Sequence, residues 1–127
     1  MTYSPVDDNL IATCSTDTTV RVWYTGERTS LILTGHSANV SSVSFSPDGQ
    51  FLVSTSEETT IRMWTIDGTG TDTDLGVLRG HTQTASSAAI SPDNNFVASC
   101  SDDETNFATK MELGQRKLSV ALRSVRF

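Results

Sequence analysis

Few side chains in this 127-residue sequence belong to the types that do chemistry, and they recur at a regular spacing. Two histidines, two cysteines and fifteen carboxylates would suffice for a metal site or a catalytic pair. However, His36 and His81 lie at equivalent positions of a repeat, and so do Cys14 and Cys100. No CxxC or HExxH spacing is present. We therefore predict no catalytic residue, no metal ligand and no cofactor, with the cysteines acting as small apolar fillers.

Two acidic runs resemble the paired carboxylates of general acid–base catalysis. They are Glu57-Glu58 and Asp102-Asp103-Glu104. Both occupy the same point of the repeat, a polar turn between two expected strands. A solvated turn is therefore the preferred interpretation, and we do not expect an enzyme.

Charge and the chain's N-terminal residues limit the class of partner. The formal net charge is −6, although residues 110–127 are basic. Phosphate binding needs a positive surface, so we do not expect nucleic acid as the main ligand. No apolar run approaches the roughly 18 residues of a membrane span, and no secretory signal is expected. Two cysteines fit a reducing compartment, which indicates a cytoplasmic or nuclear location.

An internal repeat organises the sequence. Gly35-His36 recurs 45 residues later as Gly80-His81, and Ser46-Pro47-Asp48 recurs as Ser91-Pro92-Asp93 at the same offset. A third copy lies upstream, because residues 18–23 match residues 59–64 at an offset of 41. Three copies in register are not a chance pattern.

Each copy has the pattern of short strands joined by tight turns. In the second copy Val43 and Phe45 alternate with serines, which is the period of a strand. The run 46–49, Ser-Pro-Asp-Gly, favours a turn, since proline presets φ and glycine tolerates positive φ. The second copy has four such strands, at 40–45, 51–56, 61–64 and 75–79. Four strands per copy predict one antiparallel sheet per repeat.

These units resemble WD40 repeats, whose hallmarks are an early Gly-His pair and a Trp-Asp pair ending the third strand. Trp23 and Trp64 match, although Tyr24 and Thr65 stand in place of the aspartate. The resemblance covers about residues 3–103. It implies an all-β fold, namely an incomplete WD40-type β-propeller of four-stranded antiparallel blades with an irregular or ambiguous C-terminal tail.

The resemblance divides the chain into four parts. We expect an incomplete first blade at 1–34, a complete blade at 35–79, an eroded blade at 80–109 and a basic tail at 110–127. The eroded blade has Ala85 and Ala88 where the second copy has valines, so it is expected to be the weakest packed. Residues 118–125 fit a helical face as well as a strand.

In the WD40 family a hydrogen-bonded chain of His, Ser or Thr, Asp and Trp pins each blade. The resemblance assigns these roles to Thr13, Asp17, Trp23, His36, Ser54, Glu58, Trp64, His81, Ser99 and Asp103. Glu58 stands where aspartate is expected, and its extra methylene lengthens the reach. Thr109 occupies the place of the third tryptophan.

The resemblance implies a protein–protein interaction scaffold, expected to be a fragment of a larger propeller protein. Asn39 and Gln83, just after the Gly-His pairs, are the candidate contacts for proteins or peptides. The alternatives are a regulatory module of a larger enzyme complex, such as a ubiquitin ligase, kinase or signalling ATPase, and a truncated product without independent activity. Open blade edges would also allow self-association.

Overall fold

A computed structural model describes residues 1–66, 74–78, 81–93, 96–103, 106–112, 117–118 and 123–125. Side chains are not described for 74–76, 78, 106–112, 117–118 and 123–125. Among the described residues every regular element is a strand, and the strands form three antiparallel sheets in chain order. The all-β prediction is therefore confirmed.

Each of the first two sheets is a four-stranded meander in which consecutive strands are neighbours. Sheet 1 contains β1 Thr2–Tyr3, β2 Leu10–Cys14, β3 Val20–Tyr24 and β4 Thr29–Leu33. Sheet 2 contains β5 Val40–Phe45, β6 Phe51–Ser56, β7 Ile61–Thr65 and β8 Asp74–Leu78.

Sheet 3 begins in the same way and then incorporates part of the basic tail. It contains β9 Ala85–Ile90, β10 Phe96–Ser101, β11 Asn106–Glu112, β12 Lys117–Leu118 and β13 Arg123–Val125. Strands β12 and β13 both pair with β11, at its two ends. Where residues 118–125 are described they are strand rather than helix. Strand β11 also continues past residue 109, where the eroded blade was expected to end.

The three sheets share one register between their second and third strands. Trp23 lies opposite Ile11, Trp64 opposite Leu52 and Thr109 opposite Val97. Because strand side chains alternate between faces, the shared register gives equivalent residues the same face in every sheet. Residues at equivalent positions of the repeat therefore occupy equivalent positions in the three sheets.

Two apolar cores lie between consecutive sheets, and sheet 2 contributes to both. Its Leu52 and Trp64 pack against Leu10, Ala12 and other residues of sheet 1. The alternate side chains of sheet 2 pack against sheet 3; this core comprises Phe51, Val53, Ile61, Met63, Ala85, Ala88, Ile90 and Val97. Sheet 2 contributes four large side chains to this core, whereas two of the four residues from sheet 3 are alanines.

The turn between the second and third strands has the same unusual backbone in sheets 1 and 2. Thr18 and Thr59 both have φ of 76°, in the left-handed region. Backbone hydrogen bonds close the two turns, from Ser15 N to Thr19 O and from Ser56 N to Thr60 O. A β-branched residue is strained at positive φ. The hydrogen bonds that close these turns therefore hold each threonine in a conformation that glycine adopts more easily.

We expect Thr59→Gly to stabilise the chain. Relief of the left-handed conformation is worth about 1–2 kcal/mol, and the flexibility of glycine in the unfolded chain offsets part of it. Urea unfolding should show a net gain of roughly 0.5–1 kcal/mol. The matched control is Thr29→Gly, at an exposed position in β4 outside the left-handed region, which should destabilise the chain. Loss of stability in both variants would contradict the strain argument.

Candidate functional site

Sheet 2 carries a continuous hydrogen-bonded chain from its interior to one end of its strands. The Trp64 Nε1–H donates to Ser54 Oγ at 3.0 Å, and Ser54 Oγ lies 2.7 Å from His36 Nε2. His36 Nδ1 lies 2.6 Å from Glu58 Oε1. Trp64 is on β7, Ser54 on the neighbouring β6, Glu58 in the turn between them, and His36 precedes β5.

When His36 is neutral, the chemistry of the groups fixes the direction of each bond. An indole N–H only donates and a carboxylate only accepts. Since Ser54 Oγ accepts from Trp64, its one proton is available for His36 Nε2. The proton of a neutral imidazole then lies on Nδ1 and is donated to Glu58. This arrangement satisfies Trp64, Ser54 and His36, whose exposed fractions are 2, 0 and 6%.

Glu58 ends the chain and anchors the loop that carries His36. The Ser37 hydroxyl donates to its other carboxylate oxygen. Partial burial raises the pKa of the Glu58 carboxyl, but the hydrogen bonds from Ser37 and His36 outweigh burial and hold the pKa at about 2. The longer side chain at this position therefore reaches the imidazole and stays ionised near neutral pH.

Sheet 3 has the same chain without the indole. His81 Nε2 lies 3.0 Å from Ser99 Oγ, and His81 Nδ1 lies 3.2 Å from Asp103 Oδ2. The backbone N–H of Thr82 also donates to this carboxylate oxygen. The register places Thr109 where sheet 2 has Trp64, and the Thr109 side chain lies outside the described residues.

Sheet 1 has only the other end of the chain. The Trp23 Nε1–H donates to Thr13 Oγ1 at 2.9 Å, as Trp64 does to Ser54. Asp17, in the position of Glu58, accepts hydrogen bonds from the hydroxyl and N–H of Thr19. The Thr19 hydroxyl is the main cause of the lowered pKa of the Asp17 carboxyl. Asp17 therefore stabilises its own turn.

The end of the sheets that carries both histidines, here called the histidine rim, consists of residues 15–19, 34–39, 56–60, 81–84 and 101–103. Asn39 and Gln83 lie on it, half-buried and exposed respectively. Their carbonyl oxygens accept hydrogen bonds from the hydroxyls of Ser56 and Ser101. Both candidate contact residues therefore sit on loops whose backbone is fixed.

Ser41 is a residue that the repeat comparison did not single out. Its hydroxyl donates to the carbonyl oxygen of Ala85 at 2.6 Å and lies 2.9 Å from the Thr55 hydroxyl. It therefore links sheet 2 to sheet 3 beside the apolar core. The signal was the recurrence of this serine as Ser86, whose hydroxyl bonds to Cys100 O within its own sheet.

The described residues contain no group of three or more His, Cys, Asp or Glu side chains placed to hold a metal ion. Cys14 and Cys100 are half-buried thiols, and Cys14 packs against the core between sheets 1 and 2. Within the described part of the chain no helix is long and apolar enough to cross a membrane.

Successive sheets of one register, the second and third carrying related His–Ser–acid chains, define a repeat protein built from stacked antiparallel blades. The chain belongs to the WD40 family: the family model "WD domain, G-beta repeat" matches residues 3–24, 27–65 and 72–105. The resemblance found in the sequence is thereby confirmed.

Three curated relatives illustrate the similarity. The chain is 38% identical over 71 residues to "Nuclear distribution protein PAC1" of Arthroderma benhamiae, covering 55% of this chain and 15% of that protein. It is 41% identical over 59 residues to "Lissencephaly-1 homolog 1" of Paramecium tetraurelia, covering 46% and 15%. It is 36% identical over 64 residues to "Coronin-like protein" of Saccharomyces cerevisiae, covering 50% and 10%. The matched region thus spans no more than 15% of these three relatives.

Ser54→Ala should destabilise the chain more than Ser99→Ala. The first variant removes the serine hydroxyl from two buried ring nitrogens, Trp64 Nε1 and His36 Nε2, whereas the second removes it from one described ring nitrogen, His81 Nε2. An unpaired buried polar group costs about 1–3 kcal/mol, so we expect losses of roughly 2–4 and 1–2 kcal/mol. Urea unfolding followed by circular dichroism measures both. Equal losses would contradict the role of Ser54 as the hydrogen-bond partner of both rings.

The stability of the chain should depend on Glu58 at acidic pH. Its folded pKa of about 2 lies below the ordinary value of 4.5, so its contribution is complete above pH 4.5 and is lost as the pH falls through about 2. Glu58→Gln should reduce the slope of unfolding free energy against pH within this window. Glu57→Gln, in the same turn, controls for removal of one charge. Parallel curves for wild type and Glu58→Gln would overturn the assignment.

Proposed function

We propose that the chain is a binding platform for other proteins or peptides, used to assemble multiprotein complexes, and that it is not an enzyme. The observation that carries the proposal is the construction of the histidine rim. In sheets 2 and 3 its loops are held by the buried chains below them, and backbone bonds connect neighbouring loops. Recognition concentrates on loops that a rigid scaffold positions, so such a rim suits partner binding.

Backbone contacts support the rigidity of this rim. Val40 N donates to Ser15 O, which joins sheet 2 to the turn of sheet 1. Glu57 N donates to Asn39 O within sheet 2, and the corresponding bond in sheet 3 runs from Asp102 N to Thr84 O. A rim fixed in this way loses little conformational entropy when a partner binds, which favours affinity.

The charge of the rim indicates the chemistry of the partner. Glu57 and Asp102 are exposed at equivalent positions of neighbouring sheets, and Asp17 is exposed on sheet 1. Complementary charge steers association and selects partners. We therefore propose a partner segment with a positive charge, in contact with Gln83 and Asn39, and no role in binding nucleic acid.

The proposed place of action is the cytoplasm or nucleus. Two half-buried free thiols, Cys14 and Cys100, suit a reducing compartment. The names of the relatives, which include nuclear distribution and coronin-like proteins, do not point to one common partner. The proposal is accordingly limited to the class of partner.

Fluorescence anisotropy with labelled basic, neutral and acidic peptides of equal length tests this function. The basic peptides should bind most tightly, and the double variant Glu57→Gln, Asp102→Asn should weaken them about three- to tenfold, because rim charges act mainly through steering. The same exchange at Asp8 and Glu27, which are exposed outside the histidine rim, is the matched control. Absence of peptide binding, or equal losses in both double variants, would contradict the proposed rim.

A further inference from the structure

The edge strands of the three sheets differ in how they are protected from pairing with another chain. Strand β1 has only two residues. Strands β5, β8 and β9 each contain a bulge, because their pairing with the neighbouring strand skips Ser41, Leu75 and Ser86 respectively. Strand β11 is paired with β12 and β13. Short length, bulges and coverage are usual means by which a sheet edge avoids pairing with another molecule.

Strand β4, the fourth strand of sheet 1, has none of these protections. It is five residues long and pairs with β3 without a register shift. It contains no charged residue and no proline. Within the described part of the chain, β3 is the strand that pairs with it. A regular, uncharged edge of this kind is a template for the addition of another strand.

The hydrogen bonds of sheet 1 show which residues of β4 direct their backbone groups away from β3. The bond from Ser15 N to Thr19 O continues the register that pairs β2 with β3. Hydrogen-bonded pairs of antiparallel strands recur at every second residue, so the odd-numbered residues of β3 bond to β2 and the even-numbered ones to β4. Their partners in β4 are its odd-numbered residues. The N–H and C=O groups of Ser30 and Ile32 therefore face the open edge.

Leu31, between these two residues, adds an apolar side chain to the same edge. It is half-buried and packs against the core between sheets 1 and 2. Sheet 2 covers this face of sheet 1, so the exposure that Leu31 retains results from its place on an edge strand. A further strand alongside β4 would bury it.

We propose that β4 of one copy of this chain pairs antiparallel with β4 of a second copy about a twofold axis. Placing Leu31 opposite Leu31 of the second copy also places each Ser30 opposite an Ile32, so both outward-facing residues form hydrogen-bonded pairs. The two leucines form the closer, non-hydrogen-bonded pair and extend the apolar core across the contact. The net charge of −6 makes copies repel, and the uncharged β4 lets them approach with little added repulsion.

The antiparallel contact sets the relative orientation of the two histidine rims. Each rim lies at one end of the strands of its own copy, and the paired strands run in opposite directions. The two rims therefore lie at opposite ends of the combined sheet and face away from each other. Such a dimer presents two separate binding surfaces and is able to join two partners. The contact uses β4 alone and does not depend on the proposed rim function.

Sedimentation velocity on the full chain over a range of concentrations tests the contact. We expect an equilibrium between the 13.7 kDa chain and a species of twice that mass. Ser30→Pro removes an outward-facing N–H and leaves the bonds between β3 and β4 in place. It should raise the dissociation constant of the dimer at least about tenfold, because a twofold contact loses the bond twice. Ser30→Ala keeps the N–H, and this matched control should leave the dissociation constant unchanged.

Disulfide cross-linking tests the register. In a chain whose Cys14 and Cys100 are replaced by serine, Leu31→Cys should form a covalent dimer under mild oxidation, because it lies opposite itself in a non-hydrogen-bonded pair. Ser30→Cys lies opposite Ile32 and should cross-link much more slowly.

Several outcomes would overturn the proposed dimer. These are a chain that stays monomeric, a dimer insensitive to Ser30→Pro, equal effects of Ser30→Pro and Ser30→Ala, and a β4 edge that pairs only with a strand of a different protein. Cross-linking through Ser30→Cys that matches Leu31→Cys would exclude the stated register. Basic-peptide binding that persists in Ser30→Pro distinguishes failure of this contact from failure of the histidine rim.

Discussion

The architecture depends on one requirement, that a polar ring buried between two sheets must find hydrogen-bond partners there. In sheet 2 the Ser54 hydroxyl meets this requirement for two rings, because it accepts from Trp64 and, when His36 is neutral, donates to His36. A hydroxyl can do so only if β6 and β7 are held in register and the preceding loop brings the imidazole down to it. Hydrogen bonding of the two buried rings therefore requires the strand pairing, the loop position and the turn residue Glu58 together.

The three sheets contain different parts of this hydrogen-bonded chain. Sheet 2 has the whole chain, sheet 3 keeps the histidine, hydroxyl and acid, and sheet 1 keeps the indole and a hydroxyl. Apolar packing varies in a parallel way, since Ala85 and Ala88 face Phe51 and Met63 across the second core. Sheet 2, with a complete chain and a core on each side, is the structural centre of the described fold.

Repetition in the sequence made the strands and the main polar partners predictable. An offset of 45 residues aligns His36 with His81 and Ser54 with Ser99, and the shared register places these pairs alike in space. Contacts without a counterpart in other copies could not be found in this way. The bond from Ser41 to Ala85 O depends on how two sheets meet, and the strands at 117–118 and 123–125 depend on the edge of β11.

The shared register also governs where the chain can change length. A single residue inserted within β6 would turn Ser54 away from His36 and exchange the side chains that face the two cores. The repeats obey this restriction: Trp23 is followed by Gly35 after 12 residues and Trp64 by Gly80 after 16. The link between the third and fourth strands absorbs the whole difference, with four residues at 25–28 and eight at 66–73. The two repeats thus differ in length only in the connection between the third and fourth strands. No hydrogen bond of the polar chains fixes the number of residues in that connection.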